Sequence, residues 1–548
     1  MFTSYEFIIF MLALFVFYYI IPRKWQWCLL LFASFAFYYT AGKWYPIFIT
    51  ITAITVYVTA EVIGWLDTRA EVSIKKVAGT QESPFGRKEK NNIQQIEIKE
   101  LTREERKAQK NALKRKKKII LIICLLVNLG ILAALKYSNF VIDNINRFIH
   151  ESEKELSYTE WILPMGISFY TFQAIGYLLD VYWGKMKPQK NFFRFLLFIS
   201  FFPQLIQGPI SRYGDLCKTL YKEHKPDWKQ IKFGLERICW GYFKKLVIAD
   251  RIAAAVGVLS EEPEYYTGAW VIVLMLFYAV QLYGDFTGGI DITIGIAQVL
   301  GIRMKENFIR PFFSKNIAEY WRRWHISMGT WFRDYVFYPC SISRPLKAIT
   351  SFCKKHFGKQ AARRVSVYIS TVLVWLATGI WHGAAWSFVA WGLTNGVIIL
   401  LSEELTPLYK KFHNQFPSID KNQGYKVFQV FRTFCLLCCI RLFDNYGGVK
   451  ITIKQFVHMF TKFWIHPISQ QELLDLGLAA GDYLIVAVGV FLMFAVSFFG
   501  RKESVREQIS RKPYIIKYAV YMVLILTVIL FGKYGITYDA RQFIYNQF

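Results

Sequence analysis

Long uncharged stretches recur along this 548-residue chain and restrict the folds open to it. Segments of roughly 17 to 25 mostly apolar residues are long enough to cross a hydrocarbon layer as a helix. Backbone amide and carbonyl groups cannot stay unpaired in lipid, so such segments form helices or a closed barrel. The apolar–polar alternation of barrel strands is missing from them. The sequence therefore predicts an all-α, polytopic transmembrane protein.

The predicted crossings number about 11–12, with additional re-entrant helices. They lie near residues 5–21, 26–41, 44–66, 119–136, 161–182, 240–259, 268–300, 365–381, 384–402, 428–446, 482–499 and 514–532. The polar stretch 69–118 ends in five consecutive basic residues, which the positive-inside rule assigns to the cytoplasm. Counting crossings from there places both ends of the chain outside.

Two apolar or aromatic stretches do not read as simple crossings. Residues 192–210 are broken by Pro and Gly, and residues 308–340 mix Arg, Asp and His with many aromatic residues. Irregular or charged backbone is tolerated at membrane depth only where protein buries it or water reaches it. We therefore expect both to be re-entrant or interfacial elements that line an internal cavity.

The formal net charge of +28 could indicate a partner of opposite charge, such as nucleic acid. The Lys and Arg residues fall mainly between the apolar spans, however, as expected for a membrane protein. The sequence therefore predicts a multi-pass protein of the cell membrane, in contact with lipid and not with nucleic acid. No set of side chains stands at metal-ligand spacing, because the cluster Cys435, Cys438 and Cys439 has no further ligand nearby.

Ionisable residues in apolar surroundings are costly and are candidates for function. The first is His382, which follows Trp381 and precedes Gly383 at the junction of two apolar stretches. A neutral imidazole is tolerated there if one ring nitrogen is hydrogen-bonded. A buried histidine of this kind is more often structural than catalytic, so both interpretations stay open at this point.

The second candidate segment runs from residue 320 to 335 and combines tryptophans, arginines and His325. One interpretation is an interfacial helix with its aromatic side chains at headgroup depth. In the other, His325 faces a reaction centre while basic side chains attract an anionic donor. The residues that would support His325 in this way are Arg322, Arg323, Arg333 and Asp334.

The third candidate segment contains Asp285 and Asp291 among glycines, in or beside an apolar span. Asp285 could orient a histidine or pair with an arginine of the second segment. Structural pairing is the more common use of such a residue, so Asp285 is predicted as a supporting residue.

The order of these motifs resembles the membrane-bound O-acyltransferase family, and within it the bacterial alginate O-acetylation and teichoic-acid D-alanylation branch. The signature lies in residues 306–308, 320–325 and 331–335. Supporting matches are residues 165–173, 202–204, 208–209, 283–291 and 381–384, all in the family's order.

The resemblance implies that His382 is the family's catalytic histidine and His325 its second histidine. It also implies that the crossings surround a central tunnel, which a donor thioester, acyl-CoA or an acyl carrier protein, enters from the cytoplasm. No bound cofactor is expected. The acceptor would be a cell-surface polymer reached from outside, and the resemblance suggests an extracytoplasmic esterase-like partner. Residues 339–344 lack the Gly-Gly-Asn-Arg often seen in acetylating members, so the donor stays open.

The last eight residues, 541–548, are similar to an aromatic C-terminal motif of this branch. That resemblance implies that Tyr545 relays the acyl group, whereas an aromatic anchor at the outer interface is the alternative. The expected division of the chain is residues 1–68 as N-terminal transmembrane helices, 69–118 as a charged cytoplasmic insert, 119–446 as the catalytic core, and 447–548 as C-terminal helices with an aromatic tail.

The expected function is transfer of an acyl group, preferably acetyl, from a cytoplasmic thioester to a hydroxyl of a cell-surface polysaccharide or an intermediate acceptor. Transfer of D-alanine from a carrier protein toward teichoic acid is the alternative within the class. From another class, a transporter or flippase of a glycan precursor would use the cavity without chemistry. The sequence has no visible inverted repeat, which disfavours a secondary transporter.

Overall fold

The computed structural model describes residues 2–77, 102–149 and 155–535, and within these ranges the regular elements are all helical. The helices are α1 (Tyr5–Ile20), α2 (Gln26–Ala41), α3 (Tyr45–Val77), α4 (Arg103–Asn146), α5 (Ile167–Tyr182), α6 (Phe192–Ser200), α7 (Phe202–Gln207), α8 (Tyr213–Leu220), α9 (Trp228–Tyr242), α10 (Asp250–Glu261), α11 (Ala269–Val299), α12 (Ile317–Arg323), α13 (Ile326–Phe332), α14 (Tyr338–Ser341), α15 (Arg344–His382), α16 (Trp386–Glu404), α17 (Thr406–Gln415), α18 (Gln423–Asn445), α19 (Val449–Thr461), α20 (Gln470–Asp475), α21 (Ala480–Phe499), α22 (Val505–Ser510) and α23 (Tyr514–Phe531). Two π-helical turns, Phe243–Ala249 and Arg333–Phe337, continue α9 and α13.

Six helical segments of the described chain are long and apolar enough to cross a membrane. They are Tyr45–Arg69, Lys107–Asn146, Ala269–Val299, Arg344–His382, Ala480–Phe499 and Tyr514–Phe531. The bent pair α16–α17, with 45° between its halves, makes a seventh if it is one span. The all-α, multi-pass membrane fold is thus confirmed. The count of 11–12 crossings stays a prediction, because α1 and α2 form where expected but have only 16 residues each.

The predicted crossing at 161–182 begins later than expected. Residues 155–164 are not helical, and α5 starts at Ile167 after Gly166, whose φ is 71°. A side chain at Gly166 would place its Cβ 2.2 Å from the carbonyl oxygen of Leu205. The close approach of this turn to α7 therefore fixes the start of α5, and hydropathy alone could not locate it.

Residues 240–259 were predicted as a crossing, but they do not form one of the six apolar spans. They comprise the end of α9, the turn Phe243–Ala249 and the start of α10. Lys244 and Lys245 are buried in this turn, and Arg251 is buried in α10. The charged side chains keep this segment out of the apolar set, and it packs against α11 in the protein interior. Its crossing of the membrane stays a prediction.

The long helix α11 lies at the centre of the fold, and most of its residues are buried. It approaches α9 so closely that a Cβ at Gly241 would lie 2.7 Å from the carbonyl oxygen of Gly288. A second close contact joins α15 to α16, where a Cβ at Gly379 would lie 2.5 Å from the carbonyl oxygen of Phe388. Small residues let membrane helices pack backbone to backbone in this way. The second contact fixes the end of α15, which carries His382.

Candidate active site

His382 ends α15 and is buried, with 8% of its surface exposed. Its Nδ1 lies 2.7 Å from the carbonyl oxygen of Thr378, one helical turn earlier. A carbonyl oxygen only accepts, so Nδ1 carries the proton of the neutral ring and Nε2 carries the lone pair. The ring centroids of Trp381 and Trp391 lie 5.0 Å and 4.5 Å from that of His382. The arrangement presents Nε2 as a base.

Two residues of α4 hold the end of the helix that carries His382. Lys136 donates from Nζ to the carbonyl oxygen of Trp381 at 2.6 Å, and the Tyr137 hydroxyl donates to that of Ile380 at 2.6 Å. The last carbonyls of a helix lack partners within the helix, and a cation is favourable at that end. Sequence reasoning missed Lys136, although a lysine inside the predicted crossing 119–136 was the available signal.

His325 immediately precedes α13 and has φ 48° and ψ 52°, a left-handed conformation that is uncommon outside glycine. Its side chain is fully buried. Asn307 lies opposite, with its Nδ2 3.1 Å from Nδ1 of His325. The Oδ1 of Asn307 accepts from the backbone N–H of Ser327 at 2.9 Å, which fixes the orientation of the amide. Nδ1 of His325 is thus an acceptor, and Nε2 carries the proton.

The rings of both histidines lie close to the ring of Trp381. The ring centroid of Trp381 lies 6.1 Å from that of His325 and 5.0 Å from that of His382. Burial holds the pKa of His325 well below its ordinary value of 6.5, and positive charge on His382 or on Arg441 lowers this pKa further. The fold therefore brings together the two histidines that the sequence singled out, with opposite tautomers, and keeps the His325 ring neutral.

Arg441 is a residue of this site that sequence reasoning missed. It comes from α18, and its guanidinium carbon lies 5.2 Å from the Trp324 ring centroid and 5.6 Å from that of Trp391. Its Nη1 pairs with Asp444 at 2.8 Å, and its Nη2 donates to the Tyr320 hydroxyl at 3.4 Å. The signal was an Arg and an Asp three residues apart within a predicted apolar crossing.

Asp285 is buried and forms an ion pair with Lys245, which also pairs with Asp250 at 2.7 Å. Gln207 donates to Asp285 from Nε2 at 3.4 Å. The sequence suggested a histidine or an arginine of residues 320–335 as the partner of Asp285, whereas this ion pair is with a lysine of the first π-helical turn. Two lysines inside the predicted crossing 240–259 were the signal for it.

The neighbouring Asp291 is bound in the same manner, by basic residues of α9 and of the same π-helical turn. Arg237 of α9 donates to it from Nε at 2.8 Å, and Lys244 from Nζ at 2.6 Å. Arg237 also holds Glu306 with two hydrogen bonds of 2.6 Å each. Because Arg237, Lys244 and Asp291 are largely buried, removing one of them would leave an uncompensated charge, whereas Glu306 is exposed. Asp285 and Asp291 thus join α11 to the helical segment before it, beside the histidines.

One pocket, of about 520 Å³, lies next to His325 in the chain and is lined by many charged side chains. Its lining includes Ile326 and Ser327, which directly follow His325, together with five basic and four acidic side chains. The basic residues are Lys185, Arg212, Arg303, Lys305 and Arg333, and the acidic residues are Asp180, Asp215, Glu306 and Asp334. We call it the His325-side pocket.

Of the four supporting residues predicted within residues 320–335, two line the His325-side pocket and two do not. Arg333 and Asp334 line it, and Asp334 pairs with both Arg333 at 2.9 Å and Arg212 at 3.0 Å. Arg322 and Arg323 are not among its lining residues. Arg322 is exposed, and Arg323 pairs with Glu319 at 2.5 Å. Arg212, which sequence reasoning did not single out, lines the pocket where Arg322 and Arg323 were expected.

A second pocket, of about 830 Å³, is lined by Ala384, Ala385 and Trp386, the loop that follows His382. We call it the His382-side pocket. Glu264, which lines it, lies just before α11, whereas Arg303 of the His325-side pocket lies just after α11. A helix of 31 residues is roughly 46 Å long, so the pockets lie at opposite ends of the bundle. A continuous tunnel between them stays a prediction, and Tyr545 lies outside the described residues.

The protein is thus a multi-pass helical membrane protein in which two buried histidines lie between pockets at the two ends of the bundle. The chain belongs to the membrane-bound O-acyltransferase family, whose model matches residues 187–443. That match includes His325, His382 and Arg441, together with all the residues of the His325-side pocket numbered from 187 on.

Named relatives agree with this assignment. The chain is 36% identical over 288 residues to the probable alginate O-acetylase AlgI of Azotobacter vinelandii, covering 52% of this chain and 54% of that protein. It is 31% identical over 385 residues to AlgI of Pseudomonas putida, covering 70% and 71%. It is 28% identical over 276 residues to the teichoic acid D-alanyltransferase of Bacillus subtilis, covering 50% and 66%. The aligned chain thus spans about half the length of the first of these relatives.

Proposed function

We propose that this protein transfers an acyl group, preferably acetyl, from a thioester on the cytoplasmic side to a hydroxyl on the outer side of the membrane. The observation that carries the proposal is the pair of neutral histidines at Trp381, one presenting a ring nitrogen as base and the other carrying a proton on Nε2. The acceptor is a hydroxyl of a cell-surface polysaccharide or of an intermediate acceptor such as Tyr545.

The donor enters through the His325-side pocket. CoA and the phosphopantetheine arm of a carrier protein both carry phosphate at the end of the pantetheine chain opposite the thioester, and arginine binds phosphate with strong, directional hydrogen bonds. Arg212 and Arg333 supply such groups, with Asp334 holding them in place. This side of the bundle is the one that the positive-inside rule predicts to be cytoplasmic.

His382 acts as general base. Its Nε2 takes the proton of the acceptor hydroxyl while the oxygen attacks the thioester carbonyl carbon. The carbon–sulfur bond then breaks, and the departing thiolate receives the proton from His382, which leaves an ester, a thiol and a neutral ring. A positioned acid–base group of this kind accelerates the reaction roughly 10²- to 10⁴-fold.

His325 stabilises the developing oxyanion. Its Nε2 carries a proton because Asn307 donates to its Nδ1, so the ring can donate a hydrogen bond to the carbonyl oxygen under attack. Burial of both rings keeps out water, which would otherwise hydrolyse the thioester.

The acceptor enters from the His382-side pocket, whose wall includes the loop 384–386 and the charged residues Asp143, Arg147, Glu264, Lys450 and Lys454. Acetyl is favoured over D-alanyl because the O-acetylases named above are more similar to this chain than the D-alanyltransferase. We assign the protein to the cell membrane, with an extracytoplasmic esterase-like protein as the partner that completes the transfer.

The test is made with purified full-length protein in vesicles, supplied with labelled acetyl-CoA or with a D-alanyl carrier protein. The proposal predicts release of CoA thiol and appearance of label on an added cell-surface polymer extract. Thiol release only from the D-alanyl carrier would transfer the assignment to D-alanylation. Movement of a glycan precursor without any thioester consumption would contradict acyl transfer altogether.

A further inference from the structure

A third cavity, of about 710 Å³, lies away from the two histidines, between the C-terminal helices and the core. Leu492 and Val496 of α21 and Val520, Val523 and Leu524 of α23 form much of its outer wall. Trp240, Phe243 and Ile290 form much of the inner wall. Its volume falls within the range of roughly 300–1,000 Å³ that is typical of small-molecule sites. We call it the C-terminal groove.

One end of the C-terminal groove is basic. Arg310 and Arg506 line it, and Arg501 follows Gly500 of its rim. Within the described parts of the chain, none of these three arginines has a carboxylate partner in a salt bridge. Arg506 donates to the backbone oxygen of Phe233 at 2.7 Å, and Arg501 lies over the ring of Phe498.

Two of the three acidic side chains that line the C-terminal groove are already engaged in close pairs. Asp291 and Glu306 line the C-terminal groove but are held by Arg237 and Lys244, and Glu236 lies 3.8 Å from Lys232. Burial, together with the neighbouring positive charges of Arg323 and Arg501, lowers the pKa of Arg310. Within the described residues, Arg310, Arg501 and Arg506 are thus not committed to salt bridges. Nearby carboxylates, Glu236 among them, still attract Arg506 at longer range.

The predicted membrane side of the C-terminal groove indicates what kind of molecule binds there. The segment 500–513, which includes α22, lies at this mouth and is predicted to be on the cytoplasmic side. Its basic residues are Arg501, Lys502, Arg506, Arg511 and Lys512. The cytoplasmic leaflet contains anionic lipids, and basic pockets between transmembrane helices on that side bind anionic head groups. None of the residues in the spanning window of α23 is buried, so this outer helix of the groove faces the bilayer.

We propose that the C-terminal groove is a binding site for one anionic phospholipid, with its phosphate held by Arg310 and Arg506 and an acyl chain lying between α23 and the core. The lipid joins the C-terminal helices to the central bundle. The site is independent of the acyl-transfer proposal, since neither histidine and neither of the two arginines assigned to the donor lines it, although Glu306 lines both this groove and the His325-side pocket.

The test measures lipid retained by purified full-length protein. The protein is equilibrated with equal amounts of dioleoyl phosphatidylglycerol and dioleoyl phosphatidylcholine, partly delipidated, and analysed by native mass spectrometry. The wild type is expected to retain one phosphatidylglycerol in preference to phosphatidylcholine. In the double variant Arg310→Gln/Arg506→Gln this preference should fall about tenfold or more, since each basic side chain contributes to anionic-lipid attraction.

Two further variants separate the site from general charge and from misfolding. Lys410→Gln/Lys411→Gln removes two exposed charges elsewhere and should retain the preference. Ala519→Trp fills the groove without changing charge and should also lose the lipid. Equal retention by wild type, Arg310→Gln/Arg506→Gln and Ala519→Trp would overturn the proposal.

Two competitors distinguish the sources of phosphate. Inorganic phosphate at millimolar concentration should not displace the retained lipid, because the apolar groove contributes to its binding; displacement would reduce the site to a phosphate site and overturn the proposal. Palmitoyl-CoA should not displace it either, and its capture in the groove, lost in Ala519→Trp, would contradict a lipid site and indicate a donor site.

Discussion

The side-chain amide of Asn307 and the ring of His325 are joined at 3.1 Å, from Nδ2 to Nδ1, and this contact decides which ring nitrogen of His325 carries the proton. The same amide is oriented by the backbone N–H of Ser327. One asparagine thus connects the backbone at the start of α13 to the hydrogen-bonding state of the site.

Replacing this amide by a carboxylate should therefore reverse the tautomer. Asn307→Asp turns the donor toward Nδ1 into an acceptor, which favours the neutral tautomer with its proton on Nδ1 and leaves Nε2 without a proton to donate. We expect kcat to fall roughly 10²-fold, within the range for a lost oxyanion donor, with little change in the donor KM. The control is Asn422→Asp, which makes the same change at the helix cap of α18, where Asp and Asn are equivalent. A kcat for Asn307→Asp within twofold of wild type would contradict this role.

A second prediction concerns the pH dependence set by Arg441. The folded-state pKa of His325 is depressed by burial, by His382 and by Arg441, so the neutral ring persists as pH falls below 6.5. Removing the cation should raise this pKa, and the acidic limb of the kcat/KM profile should move to higher pH. The variant Arg441→Met/Asp444→Asn removes the ion pair as a unit and leaves no isolated buried charge.

Arg441→Lys is the matched control for this prediction because it keeps the charge and loses the planar contact with the tryptophans. Its acidic limb should stay where it is in the wild type. If Arg441→Met/Asp444→Asn lowers activity equally at every pH, the role of Arg441 is packing alone and the electrostatic account of it fails.

The third prediction tests how the end of α15 is held. Lys136→Met removes the charged hydrogen bond to the carbonyl of Trp381, which is a contribution of about 1.5–3 kcal/mol for bonds of this type. We expect a lower melting temperature and a kcat roughly tenfold lower, since His382 is displaced when the helix end loosens. Lys118→Met, an exposed lysine of the same helix, serves as control. Both variants are measured by thermal unfolding in detergent and by thioester consumption, and equal values for them would remove Lys136 from the account.

A fourth prediction separates the arginines near the donor. Arg212→Ala and Arg333→Ala should raise the donor KM by about tenfold, because each removes a charged hydrogen-bonding group from the His325-side pocket. Arg322→Ala should leave the KM unchanged, since Arg322 is exposed and outside that lining. An increase in KM for Arg322→Ala alone would place the donor on the other face of α12.

The sequence predicted the helical membrane fold because hydropathy is a local property, and helices form at most of the expected positions. It also singled out His325 and His382 as candidates, and the family resemblance favoured them as the catalytic pair, which stays a prediction. The partners that set their chemistry were less accessible. Arg441 lies 116 residues from His325, and no local pattern connects it to either histidine.

The same reason explains the ion pairs of α11. Asp285 and Asp291 were visible as buried carboxylates, but Lys244 and Lys245 reach them through a π-helical turn that changes which side of the helix they occupy. Such turns occur frequently at functional sites and have no strong sequence signature. The pairing of charges across helices is therefore a property of the packed structure.

The central claim is that Nε2 of His382 accepts the proton of the attacking hydroxyl. The most direct measurement compares acyl transfer by purified His382→Ala with that by His356→Ala, which changes an exposed histidine of the same helix. The account predicts that His382→Ala remains folded in membranes and loses transfer by 10²-fold or more, in the range of roughly 10²–10⁴ for general base catalysis, whereas His356→Ala transfers normally. Normal turnover by folded His382→Ala would contradict it.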